Sequence, residues 1–170
     1  MENKQRFFFC PVCGAPLVKQ FAYGMDRGVC SKCGRINYEN PIVGVAAIIR
    51  NDRGQILLVK RAEETTCPGL WCIPCGYVEY NEDIRTAVVR EAKEETGLII
   101  KPLEVYDCQS NFHNPDQHTV GIWFLTKVTG GTLTPGDDAV EVMWSDLKET
   151  PPLAFKTDRI ILDRLIADGL

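Results

Sequence analysis

Three glutamates and an arginine crowd together in Arg90-Glu91-Ala92-Lys93-Glu94-Glu95. Wound as a helix at about 100° per residue, Ile84, Val88, Glu91 and Glu95 fall within roughly 60° of one another, with Glu94 on the flank of that side. Ile84 and Val88 are apolar, so this side faces a core, and Glu91 and Glu95 continue it as carboxylates. Carboxylates brought together and partly desolvated repel, and one of them tends to protonate. A divalent ion removes the conflict. Mg²⁺ takes hard oxygen ligands, keeps several waters, and is held by a few carboxylates together with substrate phosphates. Arg90 can neutralise a neighbouring acid and fix its rotamer. A glutamate-rich helix is more often a solvated face with i,i+4 partners. Here the acids share a face with Ile84 and Val88, and a glycine-bearing loop, Cys75-Gly76-Tyr77-Val78-Glu79-Tyr80-Asn81-Glu82, leads into the helix. Both features favour the cation.

A second set of ligands is sulfur. Cys10-Pro-Val-Cys13-Gly and Cys30-Ser-Lys-Cys33-Gly are two Cys-x-x-Cys knuckles with sixteen residues between them. Four thiolates at this spacing suit tetrahedral Zn²⁺, and each glycine lets the chain turn behind its sulfurs. Such a closed site is structural, because a segment this short hardly folds without metal. Four of the eight cysteines remain: Cys67, Cys72, Cys75 and Cys108. Cys72-x-x-Cys75 could mimic a ligand pair, but thiols in a strand and loop are more often small buried hydrophobes. His113 and His118 stand alone near a loop and read as structural, although His113 follows Phe112 and could touch a ligand.

The elements that must hold these groups are legible in outline. Residues 1–39 are rich in Cys, Gly and aromatics and read as a zinc ribbon; Asn40-Pro41 punctuates the chain, and 40–170 reads as an α/β domain. Apolar, β-branched runs at Ile42–Arg50 and Gln55–Lys60 flank the turn Asn51-Asp52-Arg53-Gly54 and suggest a hairpin. Leu70–Cys75 reads as a short strand ending at Gly76. The acidic helix runs from Asn81 or Glu82 to Thr96, with Asn81 as N-cap, acids in the first turn and Gly97 as C-cap. Strands follow at Leu98–Tyr106, Thr119–Val128 and Val140–Trp144, with Gly130-Gly131 as a break. The segment 111–117 is a loop, and Phe155–Ala167 is an amphipathic helix.

The chain has 170 residues, 45% hydrophobic and 25% charged, with a net charge of −4. That is a globular composition. The acidic balance, with a pI near 5.2, argues against a nucleic-acid backbone as main partner. No apolar run reaches the ~20 residues that span a bilayer, and no signal-peptide pattern opens the chain. A cytoplasmic protein is expected.

Gly76, Glu82, Arg90, Glu91, Glu94, Glu95 and Gly97 fill the fixed places of the pattern G-x5-E-x7-R-E-U-x-E-E-x-G-U, with Ala92 and Leu98 at apolar places U. This resembles the signature of the Nudix hydrolases. Val43-Gly44, Leu57-Leu58-Val59-Lys60-Arg61 and Gly69-Leu70-Trp71-x-x-Pro74 look like the strands that lead into it. The resemblance covers about residues 42–155. It departs at Cys75, where the family usually has glycine, and at Asn81-Glu82, where it usually has Gly-Glu.

The resemblance implies an α/β/α sandwich around a mixed sheet. It also implies Mg²⁺ or Mn²⁺ held by Glu91, Glu94, Glu95 and the Cys75 backbone carbonyl, and hydrolysis of a diphosphate by an activated water. Arg90, Glu91 and Glu94 then belong to the catalytic machinery. The general base is Glu91, Glu94 or a downstream acid, with Glu141 the first candidate and also a possible metal ligand, and Asp137 and Asp138 next. Arg61 could bind phosphate; Phe112, Trp123 and Tyr77 could carry the base of a nucleotide. A zinc ribbon ahead of such a domain resembles the FAD/ADP-ribose-pyrophosphatase-like and NADH-pyrophosphatase-like branches. The S-Q-P-W-P-F-P motif usual in the NADH branch has no match around Gln109-Ser110-Asn111-Phe112-His113. A small-molecule nucleoside diphosphate derivative, FAD or ADP-ribose foremost, is the expected substrate, and a homodimer is possible by analogy. The competing reading is a non-catalytic nucleotide-sensing module whose zinc ribbon binds protein or nucleic acid. The intact Glu91, Glu94 and Glu95 set favours the enzyme.

Overall fold

The computed structural model describes residues 6–112, 114 and 116–170. The chain divides into two compact units, Met1–Pro41 and Ile42–Leu170. In the first, strands β1 (Leu17–Ala22), β2 (Met25–Cys30) and β3 (Ile36–Asn37) form an antiparallel sheet in the order β1-β2-β3. Its buried centre is small: Cys10, Leu17 and Cys30, with Ala15 packed against them. A core of that size cannot sustain a fold by itself, so cross-linking through the cysteines is required.

The second unit contains β4 (Ile42–Ile48), β5 (Ile56–Arg61), β6 (Trp71–Cys72), β7 (Cys75–Tyr77), α1 (Ile84–Thr96), β8 (Leu98–Asn111), β9 (Thr119–Gly131), β10 (Ala139–Ser145) and α2 (Lys156–Ala167). One sheet has the order β7-β4-β9-β8 and is mixed, because β4 and β9 run parallel while the other pairs are antiparallel. The other, β10-β5-β6, is antiparallel. Side chains alternate across β4: Val45, Ala47 and Ile49 pack with Ala87, Val88 and Ala92 of α1, whereas Ala46 and Ile48 pack with Ile161, Leu162 and Leu165 of α2. The two helices therefore cover opposite faces, and the α/β/α sandwich is present. No helix of the described residues is long and apolar enough to cross a membrane.

Several boundaries differ from the sequence expectation. The β4–β5 connection is a hairpin only at its turn, through the Arg50–Ile56 bridge, after which the strands part into different sheets. Leu70–Cys75 is two short strands, because Pro74 cannot donate to a ladder. Strands β8 and β9 extend further than periodicity suggests, with β9 running through Gly130-Gly131, and three register shifts in their ladder absorb the extra length. Helix α1 begins at Ile84, not at Asn81 or Glu82. Asp83 is the N-cap, its carboxylate accepting from Arg85 N at 2.8 Å, and no acid lies in the first turn. The reason is that Glu82 is committed elsewhere, to Arg90.

Candidate active site

Helix α1 carries the acids. Its buried face includes Ala87, Val88, Glu91, Ala92 and Glu95, so the two carboxylates do continue the apolar stripe into the protein. Glu95 is 1% exposed and accepts from Cys75 N at 2.7 Å; Glu91 is 9% exposed. The Glu91 carboxylate occupies the space where a side chain at Gly76 would begin, so glycine at 76 leaves the carboxylate its position against the strand.

Arg90 gathers the acids. It grips Glu82 with two hydrogen bonds, at 2.8 and 2.7 Å, and also donates to Glu91 at 2.7 Å, Glu94 at 3.0 Å and the Tyr77 carbonyl at 3.0 Å. The fork geometry of guanidinium makes this possible, and lysine could not reproduce it. The guanidinium holds Glu82 down at about pKa 2. Burial raises the pKa of Glu91 despite Arg90, and burial raises Glu95 well above the usual carboxylate range, with Cys75 and Asp138 adding to it. Burial thus disfavours the charged form of both acids, a conflict that a bound cation would relieve. The oxygens of Glu91, Glu94 and Glu95 are hard donors of the kind Mg²⁺ and Mn²⁺ take. They do not converge within 4.8 Å of one another; among the described residues only four cysteines do so.

A cavity of about 530 Å³ opens beside Glu91, a size that accepts a nucleotide-like ligand. Its lining includes Gly44, Cys75, Gly76 and Tyr77 of β4 and β7, Gly121 and Trp123 of β9, and Arg61, Asp137 and Asp138. The Asp137-Asp138 turn is tied to the open end of α1: Thr134 N donates to Thr96 O at 2.9 Å and Gly136 N to Glu95 O at 3.2 Å. Helix C-terminal carbonyls need such partners, and satisfying them brings two further acids to the cavity. Arg61 donates to Thr66 O at 2.6 Å, lies 3.7 Å from the Asp138 carboxylate, and stacks over Phe155 at 5.3 Å.

The other candidates lie apart. Glu141 does not line the cavity; its carboxylate pairs with Lys60 at 2.7 Å and is half exposed. A bulge between Ala139 and Glu141 sets this register, placing Glu141 opposite Lys60. Phe112 is exposed and packs edge-on to His118, outside the lining. His113 falls outside the described residues. Cys72 is fully buried beside Arg61, as expected of a thiol serving as a small hydrophobe. Sequence reasoning missed Asp158. Only 2% exposed, it lines the cavity from the first turn of α2 and accepts from Ile73 N at 3.0 Å, and burial lifts its pKa to about 7.

In the first unit Cys10, Cys13, Cys30 and Cys33 bring their sulfurs within 4.8 Å of one another. Gly14 N and Gly34 N close the two knuckles onto the carbonyls of Cys10 and Cys30, at 2.9 and 3.1 Å, with both glycines left-handed. Amide groups of Cys33 and Lys32 point at the Cys30 sulfur and draw its pKa down to about 6, while the neighbouring thiols push Cys13 up to about 12.

Comparison with known proteins agrees with this geometry. A protein named ADP-ribose pyrophosphatase from Methanocaldococcus jannaschii is 42% identical over 127 residues, covering 74% of this chain and 74% of that one. A protein named NAD-capped RNA hydrolase NudC from Pseudomonas aeruginosa is 30% identical over 146 residues, 85% of this chain but 50% of the relative, so the chain spans about half the length of such relatives. The crystal structure of a NUDIX hydrolase from Nitrosomonas europaea superposes with a TM-score of 0.82 at 29% identity, covering 95% of this chain and 92% of that one. The NUDIX domain family profile matches residues 40–165, and the chain belongs to that family.

Proposed function

We propose that the protein is a metal-dependent hydrolase that cuts the pyrophosphate bond of a nucleoside diphosphate joined to a second moiety and releases a nucleoside monophosphate. ADP-ribose and FAD are the favoured substrates. The observation that carries this reading is the pair of buried carboxylates, Glu91 against Gly76 and Glu95 against the Cys75 amide, with Glu91 lining a nucleotide-sized cavity. The M. jannaschii relative favours ADP-ribose over NADH, as does the unmatched motif around Gln109–Phe112.

Glu91, Glu94, Glu95 and the Cys75 carbonyl would hold Mg²⁺ or Mn²⁺. Such an ion, when bound, neutralises diphosphate oxygens and acidifies a coordinated water. The rest belongs to the protein. Arg90 keeps Glu82, Glu91 and Glu94 in fixed rotamers. Arg61, clasped by Thr66 and Asp138, presents its charge to the cavity for a phosphate. Asp138 and Asp137, already in the cavity lining, are better placed than Glu141 to accept the water proton, and Glu91 and Glu94 complete the set of candidate bases. Zn²⁺ on Cys10, Cys13, Cys30 and Cys33 is a closed structural site.

The test is a product assay with Mg²⁺ or Mn²⁺ over ADP-ribose, FAD, NADH, diadenosine polyphosphates and nucleoside triphosphates. Release of AMP from ADP-ribose or FAD is expected. Glu94→Gln and Glu95→Gln proteins should fold yet lose about 10²-fold or more in kcat. Full turnover in both would remove the catalytic reading.

A further inference from the structure

The short segment Ile73-Pro74-Cys75 joins β6 to β7 and lies between the two helices. Proline has no amide hydrogen, so the segment owns two backbone donors, and both go to buried carboxylates. Cys75 N donates to Glu95 of α1 at 2.7 Å, and Ile73 N donates to Asp158 of α2 at 3.0 Å. Glu95 is 1% exposed and Asp158 2%. The Pro74 carbonyl in turn accepts from Ala47 N of β4 at 2.8 Å. The two amides and the Pro74 carbonyl are therefore anchored, from three directions.

Asp158 is an expensive way to satisfy one amide. Desolvating a carboxyl to 2% exposure at the wall of the cavity costs more than its short amide hydrogen bond returns. Helix α2 could close the core with its apolar residues Ile161, Leu162 and Leu165 alone. A residue kept there at a cost to stability points to a positional task, and the segment whose first amide it holds ends two residues on at Cys75.

We propose that Asp158 is a positioning residue for the metal-facing Cys75 carbonyl: with Glu95 it clamps Ile73–Cys75 between the two helices, so that α2 sets the affinity of the site for divalent ions. This rests on the reading above that Cys75 and Glu95 belong to the divalent-metal site. The clamp works through backbone geometry, so it asks for an acceptor at position 158 and not for a charge. Residues that orient a metal's ligands alter affinity about 10–100-fold when removed.

The experiment titrates Mn²⁺ into the full-length, zinc-loaded protein by calorimetry without substrate. Amide exchange at Ile73 and Cys75 is followed in parallel. Asp158→Ala should weaken Mn²⁺ binding about 10-fold or more and speed exchange at both amides, while Asp158→Asn, which keeps the acceptor, should stay within about threefold of wild type. In turnover, Asp158→Ala should need more Mn²⁺ for half-maximal rate with the substrate KM at saturating metal unchanged. Mn²⁺ affinity equal to wild type in Asp158→Ala overturns the proposal, as does a raised substrate KM with unaltered metal binding, which would make Asp158 a substrate contact. If Asp158→Ala fails to fold, wild-type exchange decides: added Mn²⁺ should slow Ile73 and Cys75 together, and an Ile73 amide indifferent to the ion overturns the clamp. Absence of Mn²⁺ binding to wild type itself would bring down the metal-site reading and the clamp together, whereas the preceding outcomes bring down the clamp alone.

Discussion

Gly76 and Glu91 share one volume: the backbone of one is covered by the carboxylate of the other. A methyl group at 76 must push Glu91 aside while leaving the hydrophobic layers intact. Gly76→Ala should therefore keep its near-UV circular dichroism and lose about 10²-fold in kcat/KM, the scale expected when a reacting group moves by about an ångström. Asp158 gives a different signal. Its folded pKa of about 7 lies above the ordinary aspartate value of 3.8, so the native state binds the extra proton in that window. Stability then falls as pH rises from 3.8 to about 7 and levels off above, with a ceiling of about 4 kcal/mol. In urea unfolding, the advantage of Asp158→Asn over wild type should grow through this range and then flatten; a constant difference would show an unshifted carboxyl. Of these residues, Glu91 and Glu95 were legible because a 3.6-residue period put them on the face of Val88. Asp158 was not. An acid near the start of a helix ordinarily marks a solvated first turn, and only the distant Ile73 amide shows that this one points inward.

At the level of elements, the C-terminus of α1 is the joint on which the site turns. Gly97 adopts φ 71° as its C-cap, and a side chain there would meet the Thr132 carbonyl. Beyond it, Thr134 and Gly136 donate to the last carbonyls of the helix and so deliver Asp137 and Asp138 to the cavity. Gly97→Ala combines left-handed strain with that collision, about 2 kcal/mol in all, and should lower Tm by about 4–8 °C in a calorimetric scan. Periodicity and capping located the helix, both sheets' principal strands and the C-cap. They could not show that Asp138 lines the cavity and Glu141 does not, because the bulge in β10 and the tie between residues 134–136 and α1 are pairings across the chain, invisible to local pattern. The hairpin expected from β4 and β5 was misread for the same reason: its turn is local, but each strand finds its partners elsewhere.

At the scale of the molecule, two units with unlike cohesion share one chain. Residues 42–170 have two layered cores, while the cysteine unit buries little beyond Cys10, Leu17 and Cys30. Stripping Zn²⁺ with a strong chelator should unfold the first unit and leave the second, seen as loss of one calorimetric transition out of two. A single transition unaffected by the chelator would contradict that division. The three tryptophans, Trp71, Trp123 and Trp144, all fall in the second unit, and Trp123 lies across Gly121 in the lining of the cavity. Intrinsic fluorescence excited at the indole band therefore hears the cavity fill: emission should change in intensity when a nucleotide settles beside Trp123.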